Sequence, residues 1–242
     1  MAKQRLDALL TARGLAANVD EARRLIGAGL VLVDEHRADK AGLPVPEDAR
    51  LSVKRGRRYV SRGGDKLAAA LAAFAVDPAG LVCADIGAST GGFTDCLLQH
   101  GAAKVSAVDV GYGILAWKLR SDPRVIVRER LNARHLTREH IPEPIDFAAL
   151  DASFISLALL LPPLIPLFAG PPRILALVKP QFQLERDKVG QGGIVRDPAL
   201  RDEAVDMVRN FAEGAGLTCA EPFACPVVGA KGNQEFFLYL TG

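Results

Sequence analysis

Asp85-Ile86-Gly87-Ala88-Ser89-Thr90-Gly91-Gly92-Phe93-Thr94 follows the apolar run Leu81 to Ala84 and opens the periodic segment Asp95 to His100. An apolar strand running into a Gly-rich turn and then a helix is how nucleotide-type α/β domains begin. Glycines let the backbone approach a ligand, and the free N–H groups at a helix start hold a carboxylate or a phosphate. The pattern here is D-x-G-x-x-x-G, without G-x-G-x-x-G and without a following Lys-Ser/Thr, which argues against a dinucleotide fingerprint and a P-loop. What remains is a pocket for S-adenosylmethionine (SAM), with Asp85, Gly87, Ala88, Ser89, Thr90, Gly91, Gly92 and Phe93 as its candidate cradle.

Downstream, apolar and β-branched runs alternate with helical periodicity. Strands are expected at Leu81 to Ile86, Val105 to Asp109, Val125 to Val127, Phe147 to Leu150 and Ile174 to Val178. Runs of this character suit strands covered on both faces, and the β-α rhythm implies a parallel sheet. Ligands bind such sheets at the carboxyl ends of the strands. The residues there are Asp85, Asp109 with Val110 behind it, Asn132, Asp151 and Lys179. Asp109 is suited to the two ribose hydroxyls of an adenosyl ligand and Asn132 to the adenine edge. No partner for a 2′-phosphate and no nicotinamide site is evident, which disfavours hydride transfer.

Upstream of the turn the chain changes character. Residues 1–62 carry 13 Lys/Arg against 8 Asp/Glu, net +5, whereas residues 63–242 carry 17 against 20, net −3. A small basic head on a slightly acidic body suits a polyanionic partner. Arg5 to Arg13 reads as a helix stopped by Gly14, and Asn18 with Glu21 reads as a capping box opening a second helix. Leu30 to Val33 is then a short strand, Asp34-Glu35-His36 a reversal, and Leu51 and Val53 alternate in another strand. This layout, with A-R-R-L-I-G-A-G-L-V-L-V-D at its centre, resembles the S4 RNA-binding domain. Lys3, Arg5, Arg13, Arg23 and Arg24 would form its basic face. Residues 1–56 are assigned to this domain, 57–64 to a basic Gly-containing linker and 65–242 to the body. Arg57, Arg58, Tyr59 and Arg62 could track a phosphate backbone and stack a base. The body opens with a helix from Asp65 to Phe74 that places Lys66 in its first turn.

At 242 residues the chain holds one ordinary α/β domain and a small appendage, and 49% apolar with 24% charged residues is a globular composition. Cys83, Cys96, Cys219 and Cys225 lack metal spacing and read as reduced core thiols of a cytoplasmic protein; neither metal nor disulfides are expected. The N-terminus shows no secretory signal. The longest apolar stretch, Phe154 to Phe168, is interrupted by Pro162, Pro163 and Pro166 and is expected beside a sheet.

The string D-I-G-A-S-T-G-G-F-T-D-C-L-L-Q-H-G-A, with Y-V-S-R-G-G-D-K-L, L-D-A-S-F, V-K-P-Q-F and K-G-N-Q-E-F in the same order, resembles the TlyA family, often called hemolysin A. The resemblance covers essentially the whole chain. It implies an S4 head and a Rossmann-like, FtsJ-like methyltransferase body with a seven-stranded, mostly parallel sheet. It further implies 2′-O-methylation of ribosomal RNA with a Lys-Asp-Lys-Glu catalytic set on Lys66, Asp151, Lys179 and Glu235; the sequence leaves the oligomeric state open, with a monomer favoured. The expected topology brings these four to one sheet edge if the last strand, Glu235 to Leu240, is antiparallel. A ribose 2′-hydroxyl is a poor nucleophile, so positioning against the sulfonium methyl carries much of the rate. Lys179 either takes its proton or stabilises the developing alkoxide. Gln183 stands where an acidic residue is expected in relatives, and Leu184 to Gly193 reads as a mobile loop over RNA or an ordinary connector. Two other readings compete: a membrane-active cytolysin, which needs an exposed apolar helix or hairpin, and a non-catalytic ribosome-binding factor.

Overall fold

The computed structural model describes residues 2–54 and 58–242, and the chain divides between Arg58 and Tyr59 into two compact units. The first contains β1 (Lys3–Arg5), α1 (Leu6–Ala12), α2 (Val19–Gly27), β2 (Val31–Val33), β3 (His36–Ala38), β4 (Pro44–Pro46) and β5 (Leu51–Val53). Leu6, Leu9 and Leu10 of α1 and Ala22 and Ile26 of α2 close over Val31 and Val45. Asn18 caps α2 by accepting from the Glu21 N–H at 2.8 Å, while Glu21 reaches back one residue further than a simple capping box, to the Ala17 N–H. Asp34 and Glu35 both take positive φ, 47° and 69°, so the reversal is a two-residue hairpin that pairs Val33 with His36. The β1–β4 pair was not expected. Each strand is three residues long, and β4 carries two prolines that cannot donate, which confines it to an edge.

The second unit begins earlier than the expected body. Helix α3 (Arg62–Ala73) starts three residues before Asp65, with Ser61 as N-cap, and absorbs both glycines assigned to the linker. These glycines serve close packing: a Cβ on Gly64 would lie 2.2 Å from the Tyr59 ring. Lys66 therefore sits in the second turn of α3, clear of the unpaired N–H groups of the helix start.

The remaining elements are β6 (Val82–Ile86), α4 (Gly92–Gln99), β7 (Lys104–Val108), α5 (Trp117–Arg120), β8 (Val125–Arg128), β9 (Phe147–Leu150), α6 (Leu161–Leu164), β10 (Arg173–Val178), α7 (Pro180–Gln183), α8 (Pro198–Gly214), β11 (Thr218–Cys219), β12 (Phe223–Ala224) and β13 (Phe236–Thr241). The sheet order is β11-β13-β10-β9-β6-β7-β8, with β12 also on β13. Strands β6 to β10 are parallel and β13 runs antiparallel to β10, as expected. The sheet has eight strands rather than seven because the edge beside β13 is split. Strand β11 pairs at Thr241 and Leu240 and β12 at Phe237 and Phe236, with Pro222, which cannot donate, between them.

Alternate strand residues enter opposite layers. Cys83, Val105, Phe147 and Leu175 meet Leu67 and Ala70 of α3 and Phe93 and Leu97 of α4. Ala84, Ala148, Ile174 and Leu238 meet Leu161 and Leu164 of α6 and Val205 and Val208 of α8. The apolar stretch from Phe154 is broken into short helical turns that bury Leu157, Leu160, Leu161, Leu164 and Leu167 in the second layer. Among the described residues no helix is long and apolar enough to cross a membrane. All four cysteines are free.

Candidate active site

The carboxyl ends of β6, β7 and β9 surround a cavity of about 600 Å³. Gly87, Ser89, Asp109, Val110, Asn132 and Asp151 line it, together with Ser153, Phe154 and Phe182. Gly87 has φ +90°, and a Cβ there would stand 2.6 Å from the Asp151 carbonyl oxygen, so only glycine lets β6 and β9 open side by side at this point. Asp109 is fixed at both oxygens: Oδ2 accepts from the Ser89 N–H at 2.8 Å and Oδ1 from the Gly111 N–H at 2.7 Å. Its remaining lone pairs are available to the cavity. Asn132 Oδ1 accepts from the Arg134 N–H at 3.1 Å, leaving its amide group to donate.

Asp85 is fully buried and does not line the cavity. Its Oδ2 accepts from the Thr94 N–H and hydroxyl at 2.8 and 2.6 Å, whereas Oδ1 is buried without a partner. Burial pushes its pKa up to about 7, against the Thr94 bonds and with added repulsion from Asp151 and Asp109. Asp85 thus braces the turn to α4 from below.

Five more of the expected cradle residues are placed differently. Phe93 is 2% exposed and stacks on Phe237 with ring centroids 6.1 Å apart. It is a core residue, because the face of α4 carrying Phe93, Cys96 and Leu97 is turned to the sheet. Ala88 belongs to the same core cluster. Gly91, at φ +94°, is the N-cap of α4, and Gly92 is packed so closely against α3 that a Cβ would be 2.9 Å from the Gly64 nitrogen. Thr90, exposed on the turn, is also absent from the cavity wall.

Lys66, Asp151, Lys179 and Glu235 form two ion pairs. Lys66 Nζ meets Glu235 Oε2 at 2.5 Å, with side chains 11% and 2% exposed. Lys179 Nζ meets Asp151 Oδ1 at 2.5 Å, with 9% and 21% exposed, and donates to Ser153 Oγ at 2.9 Å. Strand register joins the pairs: Val178 is paired with Phe236, so the next residues outward, Lys179 and Glu235, leave neighbouring strands side by side. The buried Cys225 thiol reports the same cluster. Burial raises its pKa, a backbone hydrogen bond at Val227 and the charge of Lys66 lower it, and Glu235 and Asp151 raise it.

Three features were not read from the sequence. Phe154, at φ +63° and 89% exposed, faces Phe182 at 4.8 Å on the cavity rim. Each stands three residues after a charged member of the set, Asp151 or Lys179, a spacing visible in L-D-A-S-F and V-K-P-Q-F. Gln183, where a carboxylate was in question, is buried and accepts from the Ser156 hydroxyl at 3.0 Å and the Leu157 N–H at 3.2 Å, positions that require an acceptor rather than a charge. The segment after it is tethered by Lys231, which donates to the Gly192 carbonyl at 2.9 Å, and by Asn233, which donates to Gly193 O at 2.8 Å.

In the N-terminal unit Arg5 grips the buried Asp7 with two bonds of 3.1 and 2.8 Å, and Arg23 adds a third at 3.2 Å. The Arg5 hydrogen bond is the main reason the Asp7 carboxyl lies at about 2. Arg13 donates to the Ala49 and Glu47 carbonyls. Lys3, Arg24, Arg58 and Arg62 are exposed, and Arg57 lies outside the described residues. Tyr59 corrects the expected stacking role: it is 2% exposed and packed on Gly64, so its ring cannot receive a base.

A parallel sheet closed by an antiparallel β13, with a Gly-rich turn after its first strand and an acidic residue capping its second, is a methyltransferase scaffold. The family model for FtsJ-like methyltransferases matches residues 59–241 and that for the S4 domain residues 4–51. With relatives 48% identical over 98% of its length, the chain belongs to the TlyA family of FtsJ-like methyltransferases. One is the 16S/23S rRNA (cytidine-2′-O)-methyltransferase TlyA of Mycobacterium tuberculosis, 90% of which is covered. Another, also 48% identical over 98% of this chain and 85% of its own, is a Bacillus subtilis protein provisionally named an rRNA methyltransferase. A solved structure from Streptococcus thermophilus, provisionally called a hemolysin, superposes with a TM-score of 0.74 at 41% identity, covering 100% of this chain and 89% of that one.

Proposed function

We propose that the chain transfers a methyl group from SAM to a ribose 2′-hydroxyl of ribosomal RNA, in the cytoplasm, with the S4 unit holding the RNA. The observation that carries this reading is the Lys179–Asp151 pair, whose carboxylate lines the same cavity as Asp109 and Asn132. The cavity has the size of a cofactor site, about 600 Å³. Its donors and acceptors suit an adenosyl group: Asp109 would take the ribose hydroxyls and the Asn132 amide an adenine nitrogen. SAM, when bound, supplies a methyl group on a positively charged sulfur.

The rest is done by the chain. Asp151 and Ser153 fix Lys179 Nζ from two sides beside the attacking hydroxyl, whose proton it takes once the ammonium has released one of its own to solvent. Glu235 holds the Lys66 ammonium beside it, where that charge steadies the alkoxide as it develops. Phe154 and Phe182 close the rim against water. The exposed Lys3, Arg24, Arg58 and Arg62, together with Arg57, would supply the phosphate contacts, while Arg5, Arg13 and Arg23 keep the head folded as well as charged.

The test is incubation of ribosomal subunits with labelled SAM and mapping of the label. Label on a ribose is expected. Label confined to a base, or none on either subunit, removes the proposal, and a non-catalytic ribosome factor would then fit better.

A further inference from the structure

The start of β13 is held in place by an amide that makes no contact with the cavity. Asn233 is 2% exposed. Its Oδ1 accepts from the Val195 N–H at 3.0 Å and its Nδ2 donates to the Gly193 carbonyl at 2.8 Å, so it closes the turn 229–233 onto the segment that leads into α8. That segment is anchored in turn, because Arg201 of α8 donates to the Val195 carbonyl at 2.9 Å and Val195 packs with Leu184 and Ala204. The Asn233 carbonyl accepts from the Gly229 N–H at 2.9 Å. Gly229 is the surface on which the Glu235 carboxylate rests: a Cβ there would lie 2.1 Å from Glu235 Oε1. Glu235 Oε2 then meets Lys66.

We infer that Asn233 is a positioning residue for the methyl-transfer site, acting through Gly229 to press the Glu235 carboxylate against Lys66. This rests on the proposed function of the same site. A carboxylate 2% exposed and bonded on one side keeps its rotamer only while the other side is walled. Here the wall is a backbone turn, and Asn233 ties that turn to α8. Asn→Ala leaves the Val195 N–H and Gly193 carbonyl without partners and frees the turn. Asn→Asp keeps the acceptor for Val195 but sets a buried carboxylate oxygen against the Gly193 carbonyl, so it also breaks that tie.

The experiment measures single-turnover methylation of ribosomal subunits at saturating SAM, SAM affinity, and peptide-level hydrogen exchange, for Asn233→Ala, Asn233→Asp, Gly229→Ala, Glu235→Gln and the Asn233→Ala/Glu235→Gln double variant. Asn233→Ala is expected to lower the methylation rate by about 10-fold or more, the scale of a small misplacement of reacting groups, with SAM affinity unchanged. Asn233→Asp, which breaks the same tie to Gly193, is expected to lower the rate as well. In the Glu235→Gln background Asn233→Ala costs nothing further, because residues acting as one unit are non-additive. Exchange at Gly229 and Val195 rises in Asn233→Ala without global loss of protection. Should Asn233→Ala not fold, Gly229→Ala reports the same coupling from the opposite side, with the Asn233 amide intact.

Full additivity of the two losses, or wild-type exchange at Gly229, overturns the inference. Loss of coupling and loss of the enzyme reading are separable. If exchange responds as stated but Glu235→Gln methylates at the wild-type rate, the turn is coupled to a carboxylate that does no chemistry, and the inference fails together with the assigned role of Glu235.

Discussion

Replacing Lys179 with Met separates stability from chemistry at the proposed site. The substitution removes the cation and leaves the Asp151 carboxylate, only 21% exposed, without its partner at 2.5 Å. Breaking a buried pair costs about 3–5 kcal/mol. The fifth of Asp151 that reaches solvent lowers this to roughly 2–3 kcal/mol. For a unit of this size that is a fall of about 4–12 °C in the melting temperature. Adding Asp151→Asn removes the stranded charge, and exchanging both members of such a pair for neutral groups of similar size is close to neutral, so the double variant should return to within about 1 kcal/mol of the wild type. Methyl transfer should not return with it. A proton acceptor contributes roughly 10²–10⁴-fold, about 3–5 kcal/mol of barrier, and Met and Asn offer no replacement. The assays are thermal unfolding and single-turnover methylation of ribosomal subunits with labelled SAM. A double variant that is stable and methylates within about threefold of the wild type would show that the pair is only a strut, and the mechanism would fall.

Asp85 gives a pH signature. Its folded pKa, about 7, lies above the unfolded value, so its protonated form is favoured on folding and the stability it contributes is lost as pH rises from about 4 through 7. Asp85→Asn should flatten that slope in urea titrations at pH 5 to 8, and an unchanged slope would refute the assignment. Asp7 works in the opposite sense: its carboxyl, held at about 2, stabilises the head above the ordinary carboxylate range, and that contribution is lost as pH falls toward 2. Arg24→Glu should weaken ribosomal-subunit binding and lower the salt slope by about one counterion, with SAM affinity unchanged. Arg23→Glu should also loosen the head, since it sets a carboxylate against Asp7, and equal thermal stability of the two variants would refute that distinction. Asp109→Ala should weaken SAM binding by about 10-fold or more, as losing two ribose hydrogen bonds would, and calorimetry showing wild-type affinity would place the cofactor elsewhere. Purified protein should not release dye from liposomes at stoichiometric levels, and release would revive the cytolysin reading.

The parts of this fold that were legible in the sequence are those whose cause is local or periodic. Val82–Ile86, Lys104–Val108 and Phe147–Leu150 are strands because successive residues enter core on opposite faces, and short apolar runs, broken only by Asp85 and Ser106 past their first residues, state that directly. The parts that were not legible depend on a partner far along the chain. Cations around an aromatic read alike whether the ring is open to a base or, as with Tyr59, pressed onto a glycine five residues later; what decides is the approach of α3 to α4, set by Gly64 and Gly92 together. The segment Leu184 to Gly193 is polar and glycine-bearing, which is how a mobile loop is written. The two residues that tether it, Lys231 and Asn233, lie about forty positions on. Sequence distance likewise hides the partner of Lys66: Glu235 lies 169 residues away, and only the antiparallel register of β13 against β10 brings that carboxylate to the edge where Lys179 stands. The pairing of the four residues is thus a consequence of one strand direction. Were β13 parallel, Glu235 would leave the sheet at the opposite edge, Lys66 would be a buried cation without a partner, and burial at 11% exposure would be too costly for it to remain.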